Sequence, residues 1–240
     1  MIFLKIVVIS KEVDMTKIMK IFFSLFIFFF IVGCKPEEMK TEVYVGDLQA
    51  VVENNEIIEV PISAAFSLLG EDKDNLIPRA VEALKPYVHP DTEFSQSKGM
   101  FGDRLVIDSV IPIGTRDAIN TYLSQNPAPF VIDVSQYDNG DFEVTFFRTS
   151  SVEEIDKELS RLNMMLGFDP VANDMLFRVV NDTRDTANVS ATAVFVSEKP
   201  NLYFDRDIER RDAVEILFKG GSASVYSEIA PQIYIALIKN

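Results

Sequence analysis

Between Ile21 and Gly33 the chain is apolar apart from Ser24, and this run stops on Cys34, the only cysteine in the sequence. As a helix the run would be about 20 Å long, at about 1.5 Å per residue, which falls short of a hydrocarbon core of about 30 Å. Lys17 and Lys20 stand ahead of it. A positive lead, a short apolar stretch and a small residue at its end make a secretion signal rather than a membrane span. The stretch therefore divides the chain into a leader, Met1–Gly33, and a body, Cys34–Asn240, which is the 240 residues less those 33. One cysteine makes no intramolecular disulfide, so the body must fold by burying a core. Its size permits that.

Ile31-Val32-Gly33-Cys34 resembles the lipobox of bacterial lipoproteins, with Ile31 where Leu is usual. The resemblance covers the signal alone. It implies cleavage between Gly33 and Cys34, diacylglycerol on the Cys34 sulfur and acylation of the new amino terminus. Each buried CH₂ of an acyl chain contributes about 0.8 kcal/mol, and the two or three chains of this class hold a protein where one holds it only marginally. The alternative is a buried thiol closing an uncleaved anchor helix. Glu12 and Asp14 are out of place in a positive leader, so Met1–Asp14 reads as an early start ahead of Met15 or Met19. Lys35, not Asp, follows the cysteine, and by the same resemblance the expected address is the outer membrane of a bacterium that has one.

The whole chain carries a formal charge of −14. The leader holds four lysines against Glu12 and Asp14, a net +2, which leaves the body at −16. Such a surface repels nucleic acid and anionic headgroups, which excludes a nucleic-acid partner. The membrane would be held by acyl chains and not by a basic patch.

Residues 34–40 are polar and include Pro36, which suits a tether. Residues 41–240 read as the globular part. Thr41–Glu53 and Glu56–Leu69 are expected as a hairpin of strands about Asn54-Asn55, with Pro61 marking an edge or bulge. Ile77, Ala80, Val81 and Leu84 lie on one face of a helix expected from Asn75 to Lys85. Pro86–Gly102 reads as a long loop. Arg104–Ile113 is an expected strand, and Thr115 caps a helix over Arg116–Gln125. Phe130–Ser135 and Phe142–Arg148 form a hairpin about Asp138-Asn139-Gly140-Asp141. Ser151 and Glu154 form a capping box for a helix to Leu166, whose Val152, Ile155, Leu159 and Leu162 make a core stripe and whose Met-rich end is an alternative partner groove. Met175–Asn181, Asn188–Glu198, Ala213–Lys219 and a mid-sheet Gln232–Lys239 are expected strands, with a short piece at Leu202–Phe204. Ser222–Glu228 suggests a turn or two of helix. The order points to an α+β fold, an antiparallel or mixed sheet with three helices on one face, with a possible lobe boundary near Gly114.

Chemistry-bearing residues are sparse. His89 is the only histidine, which excludes multi-histidine zinc sites. As a general base it would need a carboxylate, and Asp91 or Glu93 is near in sequence. The ordinary reading is an exposed loop histidine. Lys219-Gly220-Gly221-Ser222 lacks the spacing of a phosphate-binding loop and reads as a tight turn. Glu71-Asp72-Lys73-Asp74-Asn75 and Asp138–Asp141 carry oxygen ligands without the spacing of a calcium loop. Asp205–Asp212 alternates in sign and reads as a solvated connection, or else a docking patch. The sequence calls for no cofactor. The expectation is a lipid-anchored envelope protein whose domain binds another envelope component without catalysis. The alternative is a hydrolase of envelope polymers using two carboxylates, one of them desolvated in a cleft.

Overall fold

The computed structural model describes residues 36–67, 73–99, 102–162, 174–219 and 232–239. Runs with alternating burial build its strands. In β7 (Asp174–Val180) and β10 (Ala213–Phe218) every second side chain is buried. The others are β1 (Pro36–Tyr44), β2 (Ile58–Ser67), β3 (Glu93–Gly99), β4 (Gly102–Gly114), β5 (Phe130–Gln136) and β6 (Phe142–Arg148), then β8 (Ala187–Val196), β9 (Lys199–Ile208) and β11 (Gln232–Lys239). Four short helices connect them: α1 (Val45–Asn54), α2 (Lys73–Leu84), α3 (Arg116–Leu123) and α4 (Ser150–Leu162).

Nine of the strands run round a closed barrel in the order β10–β7–β1–β2–β4–β5–β6–β11–β8, and one pair, Leu217 with Phe195, joins β8 back to β10. Among the described residues β3 pairs only with β4, and β9 only with β8, so both lie off the ring. The expected α+β sheet carrying three helices on one face is thus corrected to a mostly β barrel. Alternation of apolar residues is the same in an open sheet and a closed one. Closure depends instead on the parallel pairing of β1 with β7, Glu38 with Asp174 through Tyr44 with Val180, which no local pattern announces. Gly114 pairs with Asp133 inside the ring, and one continuous core surrounds it, so no lobe boundary falls there.

The seam has a topological requirement. A ring of straight strands needs an even number of antiparallel neighbours. Here only β1–β7 and β4–β5 are parallel among nine contacts, which leaves an odd number. One strand must therefore change its axial direction between its two neighbours. β8 meets β11 along Asn188–Ser190 and β10 at Phe195, and between them Ala193 sits in the left-handed region at φ 54.

The barrel is filled. Phe146 on β6 and Phe177 on β7 come from opposite arcs of the ring, yet their rings meet edge to face at 5.7 Å. Phe177 continues to Phe218 at 5.8 Å, and Phe146 stacks on Phe130 at 5.1 Å. All four are at most 5% exposed. An apolar cavity of about 30 Å³ remains beside Met39, Leu84, Ile107 and Phe130, room for water but not for a ligand.

Several local expectations are redrawn. Thr41–Glu53 is not one strand: β1 ends at Tyr44 and α1 follows, burying Val45, Leu48 and Val51 on one helical stripe. Asn55, at φ 51, closes that helix in the left-handed region. β1 and β2 do pair antiparallel, but across α1 and not across a tight turn. Pro61 lies one residue beyond the last β1–β2 pair, and its carbonyl accepts from Thr41 Oγ1 at 2.9 Å. Its missing N–H therefore faces a place where the ladder has ended. The expected loop at Pro86–Gly102 contains β3, an edge strand in which Phe94 alone is apolar and packs on the core, so no alternation shows. The helix at Ser151 begins one residue earlier, and Thr149 caps it, its Oγ1 accepting from Ser151 N at 3.2 Å. Thr115 caps α3 as expected, accepting from Ala118 N. The stretch expected as a tether is already strand at Pro36, which pairs with Phe66 two residues after Cys34 in sequence. Ser222–Glu228 and the Met-rich residues 163–166 lie outside the described residues.

Candidate functional site

Gly33 and Cys34, the expected cleavage and lipid-attachment residues, lie outside the described residues, as do Gly220–Ser222 and Glu71-Asp72. His89 is described, and it is not the exposed histidine its loop suggests. Its side chain is only 11% exposed, seated between a β2 residue and its own loop. Nδ1 accepts from the backbone N–H of Asp91 at 3.2 Å. Nε2 faces Glu59 Oε1 at 3.5 Å. The same Glu59 oxygen accepts from Tyr122 Oη at 2.7 Å. Burial, then Glu59, pushes the Tyr122 phenol well above its ordinary value. The carboxylate partner is thus Glu59, thirty positions upstream, while the Asp91 carboxylate stands off at 3.9 Å and Glu93 starts the exposed edge strand β3. No hydroxyl is aimed at the imidazole among the described bonds. The neighbouring Thr92 and Ser109 hydroxyls bond each other at 2.7 Å. The Tyr122–Glu59 bond ties α3 to β2, and of the two imidazole nitrogens Nδ1 is hydrogen-bonded.

Alongside it, an open polar groove of about 350 Å³ runs between α3 and the loop after α1, lined by Asn55, Asp117, Thr121, Tyr122, Gln125 and Asn126. It holds one carboxylate, and no cation lines it.

One desolvated acid exists elsewhere. Asp133 on β5 is 6% exposed, and its Oδ2 takes the Arg116 guanidinium at 2.8 Å while Oδ1 is buried without a partner. Burial pushes the Asp133 carboxyl above its ordinary value, with Arg116 pulling the other way and Glu143 adding to the rise. Arg116 also lies over the Phe147 ring at 4.0 Å. Two acids, one desolvated, are therefore close, but neither lines the cavity or the grooves named here. Nothing in the sequence marked this pair, since Asp133 sits in an otherwise apolar alternating run.

The remaining candidates resolve into structure. Asp138–Asp141 is spent on its own turn: Asn139 Oδ1 accepts from Asp141 N at 3.1 Å, and Gly140 takes φ 90. Among the described residues no three His, Cys, Asp or Glu side chains gather as metal ligands. Asp205–Asp212 is not simply a connection, because residues through Ile208 belong to β9. On that strand Leu202 is 90% and Tyr203 61% exposed, and Tyr203 Oη donates to Asp205, which also takes Lys239 and Asn188. No described helix is long and apolar enough to cross a membrane. Comparison with known proteins finds no matching family model, no similar curated protein and no similar solved structure.

Proposed function

We propose that the chain is a lipid-anchored bacterial envelope protein whose barrel is a non-enzymatic binding domain. One observation carries this reading. Phe146 touches Phe177 across the barrel, so the interior is occupied by side chains and recognition falls to the outer surface. The bonds at His89 Nδ1 and Glu59 support a structural role for this cluster. β9 offers the surface: its outer edge is unladdered among the described residues, and Leu202 and Tyr203 stand exposed between Asn201 and Phe204. In this reading Cys34, freed by cleavage after Gly33, carries the acyl chains. With β1 beginning at Pro36, almost no tether intervenes, so the barrel rests against the bilayer at the end where β1 starts, and α1 points away. Lys35 after the cysteine supports the outer membrane as the address. The partner is another envelope protein.

A second reading, a carboxylate-dependent hydrolase of an envelope polymer, is favoured by Asp133, whose carboxyl is raised by burial beside Glu143. Against it, Arg116 already holds that carboxylate as an ion pair.

A photocrosslinking residue placed at Leu202 in living cells tests the first reading. It predicts a single reproducible envelope protein trapped from Leu202 and not from Glu154 on α4. Turnover of peptidoglycan fragments by the purified body would overturn it in favour of the second.

A further inference from the structure

The seam of the barrel leaves an opening. β10 is laddered to β7 along its whole length, but toward β8 it has only the pair Leu217–Phe195. On that side Ala213–Ile216 has no ladder partner among the described residues. A groove of about 350 Å³ lies there, lined by Arg178, Ser197, Arg206, Arg211, Asp212 and Glu215 among others.

Three of the chain's ten arginines meet in this groove, in a protein of net charge −14. Glu42 steadies Arg178, and Asp212 holds Arg206 at 3.0 Å. No described residue pairs with the Arg211 guanidinium. Its backbone is left-handed, at φ 67, a conformation that glycine adopts freely and other residues resist. Asn181, 0% exposed, keeps it there. Arg211 N donates to Asn181 O at 2.7 Å, Asn181 N donates to Asp212 O at 3.0 Å, and Asn181 Nδ2 donates to the carbonyls of Ile208 and Asp185, both at 2.8 Å. A glycine would relax this turn. The arginine keeps the strain and adds a positive fork to the groove.

We propose that the seam groove binds a phosphate-class oxyanion, with Arg211 as its principal ligand and Arg206 and Arg178 flanking it. Guanidinium forks match phosphate oxygens two at a time. Glu42, Asp212 and Glu215 balance the three guanidinium charges, but the ion pairs occupy only Arg178 and Arg206, so Arg211 is the guanidinium open to a ligand, and a tetrahedral oxyanion has oxygens for the flanking pair as well. Glu42 and Asp212 hold the flanking arginines in place before the ligand arrives. The volume admits the phosphate with a small carrier. This site does not depend on acylation of Cys34.

The test is calorimetric titration of the full chain in a maltoside detergent, which contains no phosphate. The probes are inorganic phosphate, glycerol phosphate, and detergent micelles doped with phosphatidylglycerol. At least one probe binds saturably to the wild type, and Arg211→Gln weakens it about tenfold or more. Arg79→Gln, on α2 and outside the groove, leaves it unchanged. Binding of the two soluble probes assigns the site to free phosphate esters; binding of the doped micelles alone assigns it to a headgroup. Thermal unfolding checks each variant, and Arg206→Gln, on β9 and outside the strained turn, replaces Arg211→Gln if the latter fails to fold. Absence of saturable binding by every probe, or unchanged affinity in a folded groove variant, overturns the proposal.

Discussion

Phe177 is 1% exposed and touches Phe146 on one side and Phe218 on the other. Truncating it to alanine in a packed interior costs about 3–5 kcal/mol, because neighbours anchored in different strands do not collapse into the space. For a body of about 200 residues each kcal/mol moves Tm by about 2–4 °C, so Phe177→Ala lowers Tm by about 6–20 °C. The contact across the barrel is read more sharply by a cycle of Phe146→Leu, Phe177→Leu and the double variant, in which apolar volume is largely kept and the ring pair is lost. An edge-to-face pair contributes about 0.5–1.5 kcal/mol beyond buried area, and that is the coupling expected. The assay is urea unfolding followed by circular dichroism on the body carrying Cys34→Ala. Strict additivity of the two leucine substitutions would mean that the rings do not meet, and the filled barrel would be refuted.

Three further outcomes follow from particular contacts. Burial holds the Asp133 carboxyl above its ordinary 3.8, so the folded state keeps that proton longer than the unfolded state. Between the ordinary and the raised value, stability therefore falls as pH rises; Asp133→Asn removes that slope, and urea unfolding from pH 4 to 7 should find the variant gaining on wild type as pH increases. Gly46 N donates to Asp182 Oδ1 at 2.8 Å, and a Cβ at Gly46 would lie 2.9 Å from Asp182 Oδ2. Gly46→Ala thus loses up to about 1 kcal/mol where helix propensity alone would give a gain of about 1, and the gain returns in an Asp182→Ala background. Tyr122→Phe removes the 2.7 Å bond to Glu59 and costs about 0.5–1.5 kcal/mol by thermal unfolding.

What was legible in the sequence is what local pattern dictates. Thr115 before a helix, the turn at Asn139-Gly140 and the paired strands at Phe130–Gln136 and Phe142–Arg148 stand where they were expected, though β5 buries five successive side chains instead of alternating. Val45, Val51 and Val52 misled because β-branched residues favour strands, while the stripe Val45, Leu48, Val51 that buries α1 is sparse. β3 was illegible because this edge strand shows the core a single apolar residue, Phe94, too few to make a pattern. Closure was illegible for another reason. It rests on β1 meeting β7 from far along the chain and on Leu217 meeting Phe195, and neither leaves a local trace. The same distance hid the partner of His89, since Glu59 arrives by the fold while Asp91 is merely next in sequence.

The central claim is that Cys34 begins the mature chain and carries lipid. Intact-mass spectrometry of the protein purified from cells, with Cys34→Ala alongside, tests it most directly. The account predicts a wild-type product lacking Met1–Gly33 and heavier than the bare body by two or three acyl chains, a mass that Cys34→Ala does not acquire. A wild-type product that retains its leader, or one that starts at Cys34 with no added mass, would contradict it.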